Sequence, residues 1–316
     1  MRGAPGRAMA GITAHAPLVM LAGVALGLGL PSLAEAMRPL VVPVSVLMAM
    51  ISMLRVEPAR LRASLARPVF LGASVLFVLV ALPLAVALAA WAAGAPPWLA
   101  AGLTLAAAAP PLSSAAAFAI LVRIDPALVT AISLPATVAA PATVWLVTAL
   151  APGIGQGVDV LALVLRLVAI ILGALGVALA LRRLLGAGRV RSWAQPLDAA
   201  LVGLVLVIAL GVMHDIGLAL RADPAAWLGI LALTWTLSLG ALAAALALFR
   251  TAGRDAAFAA GLCASVKNMA VMVAAVMGAV EPAIALVVIT AQLPIYFAPL
   301  VMRPLFARLG GAGVAP

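Results

Sequence analysis

Ten long apolar runs, separated by short polar or Pro/Gly-containing breaks, organise the chain. A membrane-spanning helix needs about 20 apolar residues to cross ~30 Å of hydrocarbon. Windows of that length fall at 16–34, 38–54, 69–92, 98–122, 126–150, 158–184, 195–217, 225–249, 256–280 and 282–306. The breaks at 55–68 (Arg55, Arg60, Arg62, Arg67), 182–191 (Arg182, Arg183, Arg189, Arg191) and 250–255 (Arg250, Arg254) are rich in arginine, as are both ends of the chain. The alternate breaks, Gly94–Pro97 and Pro152–Asp159, carry neither Arg nor Lys. By the positive-inside rule the Arg-rich breaks and both termini are expected in the cytoplasm, with the chain in the cell's inner (plasma) membrane. An even number of spans agrees with that.

Composition supports the same class. With 67% hydrophobic residues, 9% charged residues and a mean hydropathy of +1.29, the chain has too little polar surface to cover a soluble globule. It reads as an all-α polytopic membrane protein in contact with the lipid bilayer. The net charge of +10 comes from arginines scattered among the breaks, not from one stripe, so no nucleic-acid partner is expected. One cysteine, Cys263, excludes an internal disulfide, and two distant histidines, His15 and His214, give no zinc spacing. No metal and no cofactor are expected. Near the start, Arg2, Arg7, the apolar run Pro17–Leu30 and Ala34-Glu35-Ala36 imitate a secretory signal. Cleavage there would leave nine spans and one terminus on the wrong side of the Arg pattern, so the run is read as the first span.

The ten spans divide into two sets of five, each with an irregularity at the same place. In the fourth, Ala109-Pro-Pro-Leu-Ser-Ser114 interrupts the apolar run, because proline cannot donate a helix hydrogen bond and clashes with the preceding turn. In the ninth, Cys263-Ala-Ser-Val-Lys-Asn268 places polar groups at matching depth. Paired broken helices in two five-helix halves point to an inverted repeat, with helices 4 and 9 crossing near the midplane and the binding site where they meet. A simple kink at Pro110-Pro111 is the plainer alternative. Lys267 argues against it: it is the only lysine in the chain, and a cation at membrane depth costs about 2.5–3.5 kcal/mol unless it faces protein or water.

These segments resemble the bile acid:sodium symporter family. Met48 to Pro83, with Arg60-Leu-Arg62, Arg67-Pro68 and a proline inside the third span, is similar to that family's helix 2 to helix 3 region. Pro110-Pro-Leu-Ser-Ser-Ala-Ala-Ala-Phe-Ala-Ile-Leu-Val-Arg123 resembles its fourth helix, where Pro-Gly-Gly-Thr-Ala-Ser-Asn is followed by an Arg at the same distance. Pro141 matches a proline near the end of helix 5, and Ser265-Val-Lys-Asn268 is similar to Gly-Met-Gln-Asn in helix 9. The likeness covers roughly 38–280; residues 281–316, with Ala291-Gln-Leu-Pro-Ile-Tyr296, match poorly.

The resemblance implies a panel domain (1–64, helices 1–2, and 153–220, helices 6–7) and a core domain (65–152, helices 3–5, and 221–316, helices 8–10). It also implies two sodium sites at the crossing, but their side chains are almost absent here. Ala115 and Ala116 stand where the family has Ser and Asn, Val129 where it has Ser, and Val78 and Lys267 where it has Gln. Cys263 takes the place of a Glu, while Ser133 keeps a hydroxyl at a Thr position. Sodium wants hard oxygens that Ala and Val side chains do not supply, so a divergent, sodium-independent member is expected.

The substitution itself suggests chemistry. An ammonium at Lys267 can take roughly the space of a bound sodium, donating to broken-helix carbonyls and to hydroxyls such as Ser113, Ser114, Ser133 or Ser265. It is then either a fixed surrogate cation in a facilitator or exchanger, or a proton carrier coupled to substrate movement. Small residues (Ala106–Ala109, Ala115–Ala117) leave room at the crossing, and methionines including Met48, Met53, Met269 and Met272 would make an adaptable wall or plain core filling. A small organic anion suits such a cavity, with half-helix N-termini and Lys267 attracting its charge. The candidate site is therefore Pro110, Pro111, Ser113, Ser114, Ser133, Cys263, Ser265, Lys267 and Asn268. Asp198 joins them as the acid placed where panel and core would face.

Other readings stay open at this stage. A cation/proton antiporter of related architecture needs an intramembrane acid, yet 104–122 and 256–280 contain none. An intramembrane enzyme is disfavoured because no His-Glu-x-x-His, membrane Asp pair or Gly-x-Ser-x-Gly is present. A non-transporting sensor or scaffold has the same composition as a transporter. The Arg pattern makes one firm prediction: reporter fusions after Arg67, Arg191 and Gly310 all read cytoplasmic, and an external signal at Gly310 would refute the ten-span topology.

Overall fold

The computed structural model describes residues 16–55, 67–112, 119 and 124–309. Its helices are α1 (Ala16–Gly29), α2 (Pro31–Met37), α3 (Val41–Leu54), α4 (Pro68–Leu76), α5 (Leu82–Ala92), α6 (Pro97–Ala108), α7 (Pro126–Leu150) and α8 (Val160–Leu185). After these come α9 (Ala187–Ser192), α10 (Ala194–Ala222), α11 (Pro224–Leu248), α12 (Arg254–Ser265), α13 (Met269–Val276), α14 (Pro282–Thr290) and α15 (Gln292–Leu309). Among the described residues six helical runs are long and apolar enough to cross a membrane, including Pro31–Leu54 and Pro68–Ala92, each built from consecutive elements. The protein is an all-α, multi-pass membrane protein.

Local chemistry explains where these helices start. Pro31, Pro68, Pro97, Pro126, Pro224 and Pro282 each occupy the first helical turn, where a missing N–H is harmless. Asp125, Asp159 and Asp223 cap helix starts by accepting from Ala127, Ala162 and Ala226. The first break falls at Gly29–Pro31, earlier than the sequence pattern suggests. The second run carries on through Pro39 by tightening to a 3-10 turn at Arg38–Leu40.

The third run is α-helical at both ends but widens to a π-helical turn at Phe77–Ala81, just before Pro83. The fourth and ninth are interrupted outright: α6 stops at Ala108, and α12 and α13 are separated by Val266–Asn268. The tenth carries a slighter break at Ala291, between α14 and α15.

Two apolar clusters hold the helices together. In the larger, α3, α8 and α10 pack with α6, α13 and α14 through residues such as Val41, Leu167, Ile208, Leu105, Met272 and Val288. The second joins α4, the π turn, α7, α11, α12 and α15 through Leu71, Leu79, Ile132, Leu242, Leu262 and Met302. Helix α10 pairs with both ends of the second run: Arg38 Nε contacts Asp215 at 3.1 Å, and Arg55 reaches Asp198 at 3.0 Å. These partly exposed pairs contribute at most about 1 kcal/mol each and act mainly to set register. Arg182 of α8 also donates to the Leu54 carbonyl, at 3.2 Å.

Close approaches depend on glycine. A Cβ built on Gly102 of α6 would lie 2.5 Å from the Val287 Cβ of α14, an atom close to the backbone that cannot swing away. Gly102→Ala should therefore lower stability by about 1–3 kcal/mol through overpacking. Gly229→Ala, which meets open space, should be nearly neutral. Thermal unfolding in detergent compares the two, and equal melting temperatures would refute the α6–α14 contact.

Candidate functional site: a lysine at two paired helix breaks

The two interruptions meet. Pro111 and Lys267 face each other as an isolated antiparallel bridge. Asn268 N donates to the Pro110 carbonyl at 2.7 Å, and Leu112 N donates to the Val266 carbonyl at 3.0 Å. This is the non-hydrogen-bonded type of antiparallel pair, in which the facing residues contribute no N–H or C=O and their side chains come closest. It therefore asks for neither of the two N–H donors that Pro110 and Pro111 lack. Pro110-Pro111 terminates the helix and at the same time fits the one pairing in which its missing donors do not matter.

Lys267 is 5% exposed, Asn268 6% and Ser265 3%, so the pairing is sealed from solvent. The Lys267 ammonium donates to the carbonyl of Val78 at 3.0 Å. That acceptor is free for a specific reason. In the π turn Leu82 N donates to the Phe77 carbonyl, not to Val78, and the next donor along, residue 83, is a proline. Val78 O has thus lost both its α and its π partner, and an orphan carbonyl buried in this way costs about 1–3 kcal/mol if left unmet. Lys267 meets it.

The surroundings suit a cation. Lys267 lies just beyond the C-terminal end of α12 and faces the segment that follows the C-terminal end of α6, and helix C-termini carry partial negative charge. No carboxylate pairs with it among the described residues. Asp198, placed beside the site by the sequence reading, is engaged instead with Arg55 at the far end of α3. The remaining candidates divide. Cys263 is buried, its thiol toward the Val129 carbonyl at 3.7 Å. The Ser265 hydroxyl bonds back to the Gly261 carbonyl, and the Ser133 hydroxyl sits 3.4 Å from the Thr130 carbonyl. Asn268 caps α13 by accepting from Val271 N. Ser113, Ser114, Ala115 and Ala116 lie outside the described residues.

A cavity of about 20 Å³ opens beside Lys267, with walls from Ala106 and Ala107, Thr234 and Ser238, Met269, and Ala291. It has room for about one water. Ser238 donates to the Ser265 carbonyl at 3.1 Å, tying α11 to the break. Of the methionines weighed as a substrate wall, Met269 alone lines this cavity, while Met53 and Met272 fill the core.

A second antiparallel bridge joins Val158 and Val280, with Asp159 N donating to Ala279 O at 2.8 Å and Glu281 N to Gly157 O at 2.9 Å. Arg166 of α8 donates to the Met277 carbonyl in the same turn, so its side chain is a structural tie, not a free interfacial charge. Sequence reasoning missed the π turn, this second bridge and the Ser238 tie. Pro83 is a sequence signal for the first; the other two are backbone or long-range pairings with no sequence signature.

No family model and no curated protein matches the chain in sequence.

The orphan carbonyl can be tested without a transport assay. Lys267→Met should cost about 1–3 kcal/mol of stability. The cost should shrink in a Pro83→Ala background, where a new N–H at position 83 supplies the missing π-turn donor. Melting temperatures of the four proteins in detergent give the coupling, and the same loss in both backgrounds would refute the proposed pairing.

Proposed function

We propose that this protein is a sodium-independent transporter or facilitator of a small organic anion in the inner membrane, working by alternating access. Lys267 stands where related transporters bind an ion. The observation that carries the reading is the buried ammonium at the junction of two broken helices, bonded to a backbone carbonyl that the π turn and Pro83 leave free. Broken helices at membrane depth are tolerated only where other protein groups satisfy the freed backbone, and transporters use such breaks as binding sites. We read the chain as a divergent member of the bile acid:sodium symporter family, with ten spans in two inverted five-helix repeats. On this reading α1 to α3, α8 and α10 form the panel, and the remaining long helices form the core.

The charge arrangement favours an anion. Lys267 and the α13 N-terminus, which begins at Met269, bring positive potential to one side of the cavity, and the rest of the wall is mostly apolar, with the hydroxyl residues Thr234, Ser238 and Ser265 among it. A cavity of about 20 Å³ is too small for an organic solute. Substrate therefore enters when panel and core separate, and α13, packed between α3 and α8 in the larger cluster, is the element that such a movement releases. Lys267 either remains charged throughout, as a built-in counter-cation, or gives up its proton in one half of the cycle.

Purified protein in proteoliposomes separates these cases. Uptake of organic anions should be indifferent to sodium, and Lys267→Ala should lower it by at least about tenfold, since one unmet charged hydrogen bond is worth about 1.5–3 kcal/mol. Lys267→Gln should not create sodium dependence, because one amide oxygen cannot replace several ligands. If proton release is part of the cycle, wild-type flux follows an imposed pH gradient and Lys267→Arg, whose guanidinium stays protonated, loses that response. Sodium-driven uptake, or full activity in Lys267→Ala, overturns the assignment.

A further inference from the structure

The two antiparallel bridges share one hydrogen-bond pattern but sit in opposite surroundings. Pro110, Pro111, Val266, Lys267 and Asn268 are buried, so the bonds between them cannot be handed over to water. At the second bridge Asp159 and Glu281 are exposed, and Gly157, Val158 and Val280 are half-buried. Opening the first would leave N–H and C=O groups unmet inside the bundle, whereas opening the second lets water take them over. The bridges also join different parts. On the transport reading the first lies wholly within the core, between the α6 and α12–α13 breaks. The second ties the start of α8, in the panel, to the turn after α13, in the core.

Side chains reinforce the second bridge from both of its segments. Arg166, in the second turn of α8, donates to the Met277 carbonyl, where the C-terminal end of α13 carries partial negative charge. Its guanidinium lies over Gly278, since a Cβ there would be 3.3 Å from the Arg166 Nη1. Reciprocally, a Cβ on Gly157 would come within 2.7 Å of the Glu281 Cδ. Gly157 and Gly278 have φ of +76° and +81°, the left-handed region that glycine enters freely. Each turns its own segment and seats a charged side chain of the other.

Helix α13 connects the two bridges. Its eight residues span about 12 Å at ~1.5 Å per residue. Asn268 caps its start at the buried bridge, and Gly278 follows its end at the exposed one. Met269, its first residue, lines the cavity beside Lys267. The exposed bridge therefore stands one short helix away from that cavity.

We infer that the Val158–Val280 bridge, with Arg166 on the Met277 carbonyl, is a gate that closes one side of the cavity and opens while the Pro111–Lys267 bridge stays shut. The inference takes its two moving bodies from the transport reading and names the contact that their separation must break. Parting α8 from α13 uncovers the route along α13 to Met269, and water meets Arg166 and the freed backbone groups. With the gate closed, as in this structure, the cavity has room for about one water.

A disulfide tests the gate. Non-hydrogen-bonded antiparallel pairs hold their Cα atoms about 4.5 Å apart, within the ~4.4–6.8 Å that a disulfide spans, so Val158→Cys with Val280→Cys locks the bridge on oxidation. Ala291→Cys, on the cavity wall, reports access from water. Full-length protein in sealed vesicles is oxidised or reduced, freed of reagent and treated from each side in turn with a membrane-impermeant methanethiosulfonate. Mass spectrometry then reads the peptide that carries position 291. The lock should slow labelling from one side at least about tenfold and leave the other side unchanged. Arg166→Ala should speed labelling from that same side about fivefold, the loss of one hydrogen bond, and serves alone if the cysteine pair does not fold. Labelling that ignores both changes, or no labelling of the reduced protein from either side, overturns the gate. Uptake of hexanesulfonate and hexanoate by the same vesicles judges the transport reading separately. Uptake that the lock does not slow overturns the gate and leaves that reading intact, whereas gated labelling with uptake of neither anion supports the gate and overturns the reading.

Discussion

One orphaned carbonyl organises the centre of this protein. A helix that reaches Pro83 cannot close its last bonds in the ordinary pattern, and here the third run widens into a π turn that leaves the Val78 oxygen with no helical donor. In water that would cost little. Inside an apolar bundle it has to be met, and the Lys267 ammonium meets it from the break in the ninth run. Two defects, each unfavourable in isolation, thus satisfy one another. The cation gains an acceptor, the carbonyl gains a donor, and the third and ninth runs are pinned together.

The same logic runs through the paired breaks. Proline at 110 and 111 removes two donors, and the antiparallel bridge to 266–268 is the arrangement that needs neither. The bridge consumes the Pro110 and Val266 carbonyls, which the interrupted helices would otherwise leave unmet, and Asn268 then restarts the helix by capping α13. Backbone satisfaction, not side-chain packing, decides the shape of this region. That is the expected hierarchy in a membrane protein, where no solvent repairs an unmet N–H or C=O. A membrane protein built this way can change shape only by exchanging one satisfied arrangement for another, which is why, on the proposed transport reading, the panel and core move as bodies around a fixed centre.

The gross architecture was legible in the chain. Length and apolarity of the runs identify a multi-pass helical membrane protein, and prolines and aspartates mark many helix starts because they act locally. Lys267 and Pro110-Pro111 stood out because a lone cation and a Pro-Pro pair are costly at membrane depth. Asp198 was read less well. Its position at the start of α10 is compatible with the site in one dimension, yet in three it faces Arg55, because α10 runs alongside α3 and brings their ends together. Arg166 ties α8 to the turn after α13, a contact between residues far apart in the chain that has no local sequence signal.

What the sequence by itself determined is the set of places where the helical backbone had to fail: Pro83, Pro110, Pro111 and the polar stretch around Lys267. Each follows from chemistry within a few residues. Which failure would compensate which was decided only in the tertiary structure, since Val78 and Lys267 are 189 residues apart. Hydrogen-bond partners of that kind depend on helix register and crossing, and those are set by contacts such as Gly102 against Val287 that only the packed bundle brings into existence.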